Sequence, residues 1–441
     1  MQAVTVAQLK EAFRKAHLKR LRTWAKTEPT QLRAASQQVC DHLYNFIQAH
    51  YRHLTQVSRG SASDRTTSAT PLFIFAYAPL YYEVDLVPLM RRLWSTTTEQ
   101  RVHILTPVAL HSPSGHAPCS SVTNRGKEGE PSAALADPLR RAMVFVEILD
   151  EADLETNCVT QGNFKVREFS NALLTPWLMG PGADAASGPT SSGDKKEDGP
   201  PHETTRDAEC LLKKDRRVRH MVLCDSYSRL FPVAHASGYR PAGLLEYASE
   251  CATAQLHADV AYSFREVPGV RSELRVNAER EPLHLDDVAM LILVPGVLFD
   301  LQTGRRIGKG CGYYDRFLAY HGAHHACGTT ASSERATASA SLSENAKLNS
   351  AEGHQPAART IVLSDTETGG GPTHCGPPWE VMAVAFDSQV LCSSPSSSQV
   401  GAQLGAEVAC LKCIPVEEHD QLVHSVVSPS GGVKKVRMRS L

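Results

Sequence analysis

The sequence predicts an α/β fold, a mostly parallel central sheet flanked by helices on both faces and interrupted by long low-complexity insertions. Three observations predict it. Apolar runs such as PLFIFAYA (71–78) and MLILV (290–294) are continuous rather than alternating, as expected of strands buried on both faces. Stretches with helical periodicity lie between several of these runs, the pattern of crossover connections. The longest apolar stretch, Val288 to Phe299, is broken by Pro295 and Gly296, which excludes a membrane-spanning helix.

Leu9, Phe13, Ala16, Leu21 and Trp24 share one side of a helical wheel and predict a helix over 6–25, followed by a second over 31–50. Pro71 to Ala78 is the first strand and Leu86 to Trp94 the next helix. Further strands are expected at Val102–Leu105, Met143–Ile148, Val218–Leu223, Met290–Val294, Thr360–Leu363 and Met382–Phe386, with a helix from about Tyr313. Segments 57–70, 111–138, 181–214, 321–358 and 393–407 are rich in Ser, Thr, Ala, Gly and Pro. They hold too little apolar surface to offset ordering entropy, so they read as flexible insertions within one domain spanning 1–441. Residues 216–281 hold Leu244, Leu245, Tyr247, Leu256, Val260, Tyr262 and Phe264 and read as an extra ordered segment.

The 441 residues carry 46 Lys+Arg against 47 Asp+Glu, a net charge of −1, so no global field draws nucleic acid or an anionic membrane. Twelve cysteines without a secretory apolar segment ahead of them fit a reducing compartment better than a disulfide framework. Cys410-x-x-Cys413 has no second pair at zinc-ligand spacing. His321, His324, His325 and Cys327 border a low-complexity stretch and read as solvated loop.

Leu291 to Leu318 (LILVPGVLFDLQTGRRIGKGCGYYDRFL) carries most of the chemistry. A buried strand ends at Pro295-Gly296. A loop with Gly304, Gly308, Gly310 and Gly312 follows, and then a helical pattern. Glycines at alternate positions can turn backbone N–H groups toward an anion, and the helix N-terminus behind them adds positive potential. Arg305, Arg306 and Lys309 supply cations for phosphate oxygens. Asp315, a hard carboxylate in the first helical turn, is placed to hold magnesium or to cap the helix. The string is neither a Walker A loop nor GxGxxG. On residue types alone it reads equally as a phosphate loop or a structural turn.

The string VPGVLFD…GRRIGKGCGYYDRFL resembles the signature of the 5-formyltetrahydrofolate cyclo-ligase (5,10-methenyltetrahydrofolate synthetase) family. Weaker likenesses occur in the family's order: KEAFR (10–14), YAPLYYEVD (77–85), MAVAFDSQ (382–389) and PVEEHD (415–420). Three features depart from the pattern. Cys311 replaces glycine or lysine, His424 stands where an acidic residue is usual, and Asn163–Phe169 matches the G-I-x-E-P element only loosely.

What the resemblance implies is ATP- and Mg2+-dependent closure of 5-formyltetrahydrofolate to 5,10-methenyltetrahydrofolate, with release of ADP and phosphate. It implies ATP contacts from Lys10, Arg14, Arg306, Ile307, Gly308, Lys309, Gly310, Cys311, Gly312, Tyr313 and Tyr314. Lys309 and Arg306 would act on the transferred phosphate. Ala78, Glu83 and Tyr313 would meet the reduced folate, and Asp315 and Asp420 the metal. Without the resemblance, Lys10 and Arg14 belong to a solvated basic face shared with Lys15, Lys19, Arg20 and Arg22, Glu83 is an exposed loop carboxylate, and the tyrosines are aromatic core.

The competing reading is a non-catalytic folate- or nucleotide-binding protein on the same scaffold. An isomerase or CoA-transferase on a similar fold and an RNA-binding fusion are disfavoured by the contiguous GKGCGYYD string and by the lack of an RNP-type motif. The expected partner is a small-molecule folate, with no nucleic acid and no membrane, and the protein a monomer in the cytoplasm. Residues 1–26 also resemble a mitochondrial transit peptide, but cleavage would remove Lys10 and Arg14.

Overall fold

The computed structural model describes residues 5–55, 70–96, 102–110, 142–161, 166–179, 219–248, 250, 283–337, 379–391 and 414–436. Helix α1 (Val6–Thr27) opens on a capping box. The Thr5 hydroxyl accepts from Gln8 N–H (3.2 Å), and the Gln8 side chain accepts from Thr5 N–H (2.9 Å). Its buried face runs Lys10, Phe13, His17, Leu21, so the apolar side is rotated from the expected one and Ala16 is exposed. Helix α2 (Pro29–Thr55) begins on a proline, whose missing N–H costs nothing in the first turn.

The chain continues through β1 (Leu72–Phe75), α3 (Val87–Thr96), β2 (Val102–Ala109), β3 (Met143–Glu147) and α4 (Glu151–Asn157), the last capped by the Asp150 carboxylate. Next come the β4 (Cys158–Gln161) and β5 (Val166–Phe169) hairpin, α5 (Asn171–Met179), β6 (Met221–Leu223), α6 (Tyr227–Leu230), α7 (Pro232–Ala236) and β7 (Leu244–Leu245). The remaining elements are β8 (Ala289–Val294), β9 (Leu298–Asp300), β10 (Arg306–Ile307), α8 (Tyr313–Thr337), β11 (Trp379–Val384), β12 (Val390–Leu391), β13 (Ser425–Ser428) and β14 (Gly432–Lys435).

Among the described residues a nine-stranded sheet runs in the order β14-β13-β11-β8-β1-β2-β3-β6-β7. The stretch β13-β11-β8-β1-β2 is parallel throughout, while β3 runs antiparallel to both β2 and β6. Strand alternation sorts its side chains into two cores. Leu72, Ile74, Leu291, Leu293 and Met382 face Leu43 and Ile47 of α2 and Leu89 and Leu93 of α3. Phe73, Phe75, Met290, Ile292 and Val381 face Leu174 of α5, Tyr227 of α6 and Phe317 of α8. Helices therefore cover both faces, as the continuous apolar strands predict. A third, small cluster of Phe13, Val297, Leu298, Ile307 and Ile414 joins α1 to the β9–β10 hairpin and to the segment preceding β13. No helix among the described residues is long and apolar enough to cross a membrane.

Two expectations need correction. The insertion expected at 321–358 begins inside α8, which extends to Thr337. His321 is wholly buried there rather than solvated, because its ring bridges α8 to the strand end at Leu223. His324 stacks on Tyr247 and His325 on Trp379, with ring centroids 4.1 and 5.1 Å apart. The described part of 216–281 is also no appendage, since β6 pairs with β3 within the main sheet. Segments 57–69, 111–138, 181–214, 338–358 and 393–407, the strand expected at 360–363 and the Cys410–Cys413 pair lie outside the described residues.

His321 Nε2 donates to the Leu223 carbonyl (3.0 Å), so its Nδ1 accepts from the Tyr247 hydroxyl (2.8 Å). Burial holds its pKa down to about 3, against an ordinary value of 6.5. The unfolded chain therefore binds a proton across that window while the native ring stays neutral. Stability from this group is complete above the unfolded value and is lost as pH falls toward 3. Urea midpoints should drop between about pH 7.5 and about pH 5. His321→Gln can keep both hydrogen bonds without titrating and should show the shallower pH slope; equal slopes would refute the assignment.

Candidate active site

Strand β8 ends at Val294, and Pro295 and Gly296 lead into the β9–β10 hairpin. Buried Asp300 organises the hairpin turn. Its carboxylate accepts from Gln302 N–H (2.9 Å) and the Thr303 hydroxyl (2.7 Å), and its carbonyl accepts from Gly304 N–H (2.9 Å). Gln389, following β11, donates to the Gly296 carbonyl (2.7 Å) and pins the start of the turn. Beyond β10 the loop reaches Gly310 and Gly312 at φ +104° and +64°, left-handed backbone that side chains with a Cβ rarely adopt. Helix α8 starts immediately after, so the loop leads into the N-terminal turn of a helix, where backbone N–H groups point back toward the loop.

Side chains from both ends of the chain converge on this loop. Lys10, 5% exposed, forms an ion pair with Glu417 (2.7 Å) and another with Asp420. Asp420 also accepts from Glu417 N–H (2.7 Å). Arg14 donates from Nε to the Gly308 carbonyl (2.9 Å) and pairs with Glu11. Lys10 and Arg14 thus leave the basic face on which they sit in sequence, whereas Lys15 and Lys19 remain exposed. Arg306 is buried against Asp315 (2.6 Å), and Asp315 accepts from Gln421 N–H (3.3 Å). Lys309 reaches Glu83 in the loop after β1 (2.7 Å). Glu83 is 6% exposed rather than a solvated loop carboxylate, held by Leu80 N–H (2.9 Å).

The other expected residues sort by depth. Ile307 faces the small apolar cluster, so only its backbone borders the loop. Gly308, Cys311, Tyr313 and Ala78 are half-buried. The Cys311 carbonyl accepts from Arg316, whose guanidinium lies 5.1 Å from the Tyr313 ring centre. Tyr314 points inward, and burial, assisted by the negative charge of Glu83, raises its phenol pKa well above the ordinary value. His424 accepts from Val381 N–H (3.2 Å) with its pKa lowered by burial, so the ring serves β11 rather than the loop.

Asp315 and Asp420, expected as metal ligands, are each paired with a cation, and Lys309 is paired with Glu83. Glu417 was overlooked in sequence although it stands within PVEEHD; its sharing of Lys10 depends on how the 414–420 loop folds. Ligand chemistry still fits the region. Arg306 Nε and the Tyr314 hydroxyl are buried without a hydrogen-bond partner, and Glu83 Oε1 meets Lys309 as an ion pair but receives no aligned hydrogen bond. Such atoms are costly to leave unpaired, and a polar ligand satisfies them. Asp315 and Asp420 each have a second oxygen outside the bonds described, and Glu417, His419 and Asp420 present donor atoms within 4.8 Å of one another. Hard carboxylate oxygens of this kind suit magnesium.

Residues 218–338, which contain this loop, match the 5-formyltetrahydrofolate cyclo-ligase family. A stretch of 42 residues is 52% identical to 5-formyltetrahydrofolate cyclo-ligase of Saccharomyces cerevisiae, covering 9% of this chain and 19% of the yeast enzyme. The chain therefore matches about a fifth of that relative's length. It is also similar to the NMR structure of Aquifex aeolicus 5,10-methenyltetrahydrofolate synthetase, with 13% identity and a TM-score of 0.35 over 98% of this chain and 96% of the other. The matched segment begins upstream of β6, so it takes in the described strand and helices of 219–248 as well as the glycine loop.

Lys10→Met would leave Asp420 and Glu417 facing each other without their cation. Breaking a buried pair costs about 3–5 kcal/mol, and with Glu417 partly exposed the expected loss is about 2–3 kcal/mol. Urea denaturation should show this loss, and Lys10→Met with Asp420→Asn should cost less than the two single losses summed. Strict additivity would mean the pair is not coupled.

Proposed function

We propose that the protein is an ATP- and magnesium-dependent 5-formyltetrahydrofolate cyclo-ligase, forming 5,10-methenyltetrahydrofolate, ADP and phosphate. The observation that carries this reading is convergence: Arg14 from α1 meets Gly308, Glu83 from the loop after β1 meets Lys309, Gln421 meets Asp315 at the start of α8, and Lys10 ties α1 to Glu417 and Asp420 beside it.

The chemistry requires charge neutralisation more than covalent participation by the protein. The formyl oxygen is a poor nucleophile and its carbon a poor electrophile. Attack of that oxygen on the γ-phosphorus breaks the bond to the β-phosphate, expels ADP and turns the oxygen into a leaving group; N10 then attacks the formyl carbon and loses its proton, and the C–O bond breaks to release phosphate. Phosphoryl transfer of this type depends on positioning and preorganised cations. Backbone N–H groups of Gly308 to Gly312 and the start of α8 would receive phosphate oxygens. Arg306 and Lys309 would follow the charge that moves to the transferred group, while Lys10 and Arg14 would neutralise the rest of the chain of phosphates. Glu83 would accept N–H groups of the pterin, with Ala78 and Tyr313 lining its ring. Asp315 and Asp420 would hold magnesium, which would supply positive charge to neutralise the phosphates.

Lys309 and Glu83 neutralise each other, which keeps a buried carboxylate paired. Nucleotide and folate would separate them, each gaining one partner. Incubation with 5-formyltetrahydrofolate, Mg2+ and ATP should give methenyl absorbance and stoichiometric phosphate. ATP binding without product would leave only a nucleotide-binding protein. Lys309→Ala and Asp315→Ala should each lower turnover about 100-fold or more, the scale of losing one preorganised charge. Near-normal rates in either purified variant would remove that residue from the mechanism.

A further inference from the structure

A second cluster of chemically potent side chains stands at the other end of the sheet. His103, near the N-terminal end of β2, pairs in register with Phe73 of β1, whereas the glycine loop and Glu83 follow the C-terminal ends of β8 and β1. Glu147 closes β3 and His220 immediately precedes β6. His103 Nδ1 lies 2.8 Å from one Glu147 carboxylate oxygen and His220 Nδ1 lies 2.7 Å from the other. The second oxygen also accepts from His220 N–H (2.9 Å). Ligand atoms of the three residues all fall within 4.8 Å of one another.

We infer that His103, Glu147 and His220 form a binding site for a borderline divalent transition metal, zinc in the first instance, separate from the nucleotide loop. Two imidazoles and one carboxylate are the donor set that favours zinc and its first-row neighbours over magnesium or calcium. The residues come from three different strand ends, so a metal here would tie β2, β3 and β6 together. Zinc sits about 2.0–2.2 Å from such donors, so separating the present nitrogen–oxygen contacts by about half an ångström makes room for it.

The surroundings restrict how the donors can move. The Phe73 ring stacks on His103 (centroids 4.6 Å, 20°) and meets His220 edge-on (5.4 Å). Beside them Arg219 holds Asp153 in a two-point ion pair (2.6 and 2.8 Å) and donates to the Glu147 carbonyl (2.6 Å), fixing the strand end that carries the carboxylate. Such outer contacts orient metal ligands. Glu147 is 6% exposed, while the His103 and His220 side chains keep 13% and 20% of theirs, so a fourth position opens toward water.

Cobalt(II) titration of the chelator-treated full-length protein tests this. One equivalent should give visible ligand-field bands of a nitrogen–oxygen site without a thiolate charge-transfer band, and zinc should displace it. His220→Ala should weaken binding by about 100-fold or more, since loss even of a residue that merely orients a ligand costs about 10–100-fold. Glu147→Gln, which preserves shape, should do the same if the alanine variant folds poorly. Asp420→Asn should keep the bands, separating this site from the carboxylates at the nucleotide loop. A spectrum that remains that of hydrated cobalt, a thiolate band, or bands that survive both His220→Ala and Glu147→Gln would overturn the assignment.

Discussion

The packing of Phe13 against Val297, Leu298, Ile307 and Ile414 is the contact on which the candidate site rests. None of these residues carries reactive chemistry. They bring the first helix, the glycine hairpin and the segment preceding the last strands together, and the polar partners that α1 and the 414–420 segment contribute stand close to them in sequence. Lys10 lies one turn before Phe13, Arg14 follows it directly, and Glu417 and Asp420 follow Ile414. The apolar cluster supplies non-directional cohesion; the ion pairs around it give that cohesion a register.

Charges in the site are paired with one another: Arg306 with Asp315, Lys10 with Asp420, and Lys309 with Glu83. A buried cation or carboxylate without a counter-charge would cost several kcal/mol. Within the protein these groups supply one another's partners. Arg306 Nε and the Tyr314 hydroxyl remain unpaired within the protein and mark where that self-pairing is incomplete.

Two regions distant from the loop behave as structural clamps. His321 bridges α8 to the end of β6 and to Tyr247, fastening the helix that begins at the glycine loop to the 219–248 segment. The His103–Glu147–His220 cluster fastens the opposite end of β2 and β3 to the residue preceding β6. Strand β6 is short, and polar contacts at its two ends add directional hold to its pairing with β3 and β7.

Local patterns in the sequence were enough to read the parallel strands, the first two helices and the glycine loop, because continuous apolar runs, helical periodicity and clustered glycines act over a few residues. The likeness to the cyclo-ligase family also named Lys10, Glu83 and Asp420 before their surroundings were visible. Tertiary structure decided what depends on residues far apart. It rotated the buried face of α1 so that Lys10 points inward while Ala16 faces water. It placed Glu417 beside Asp420 on one cation and carried α8 through His321, whose neighbours in sequence look like solvated loop. Side-chain burial and charge pairing are set by which distant segments pack together, and no local periodicity encodes that distance.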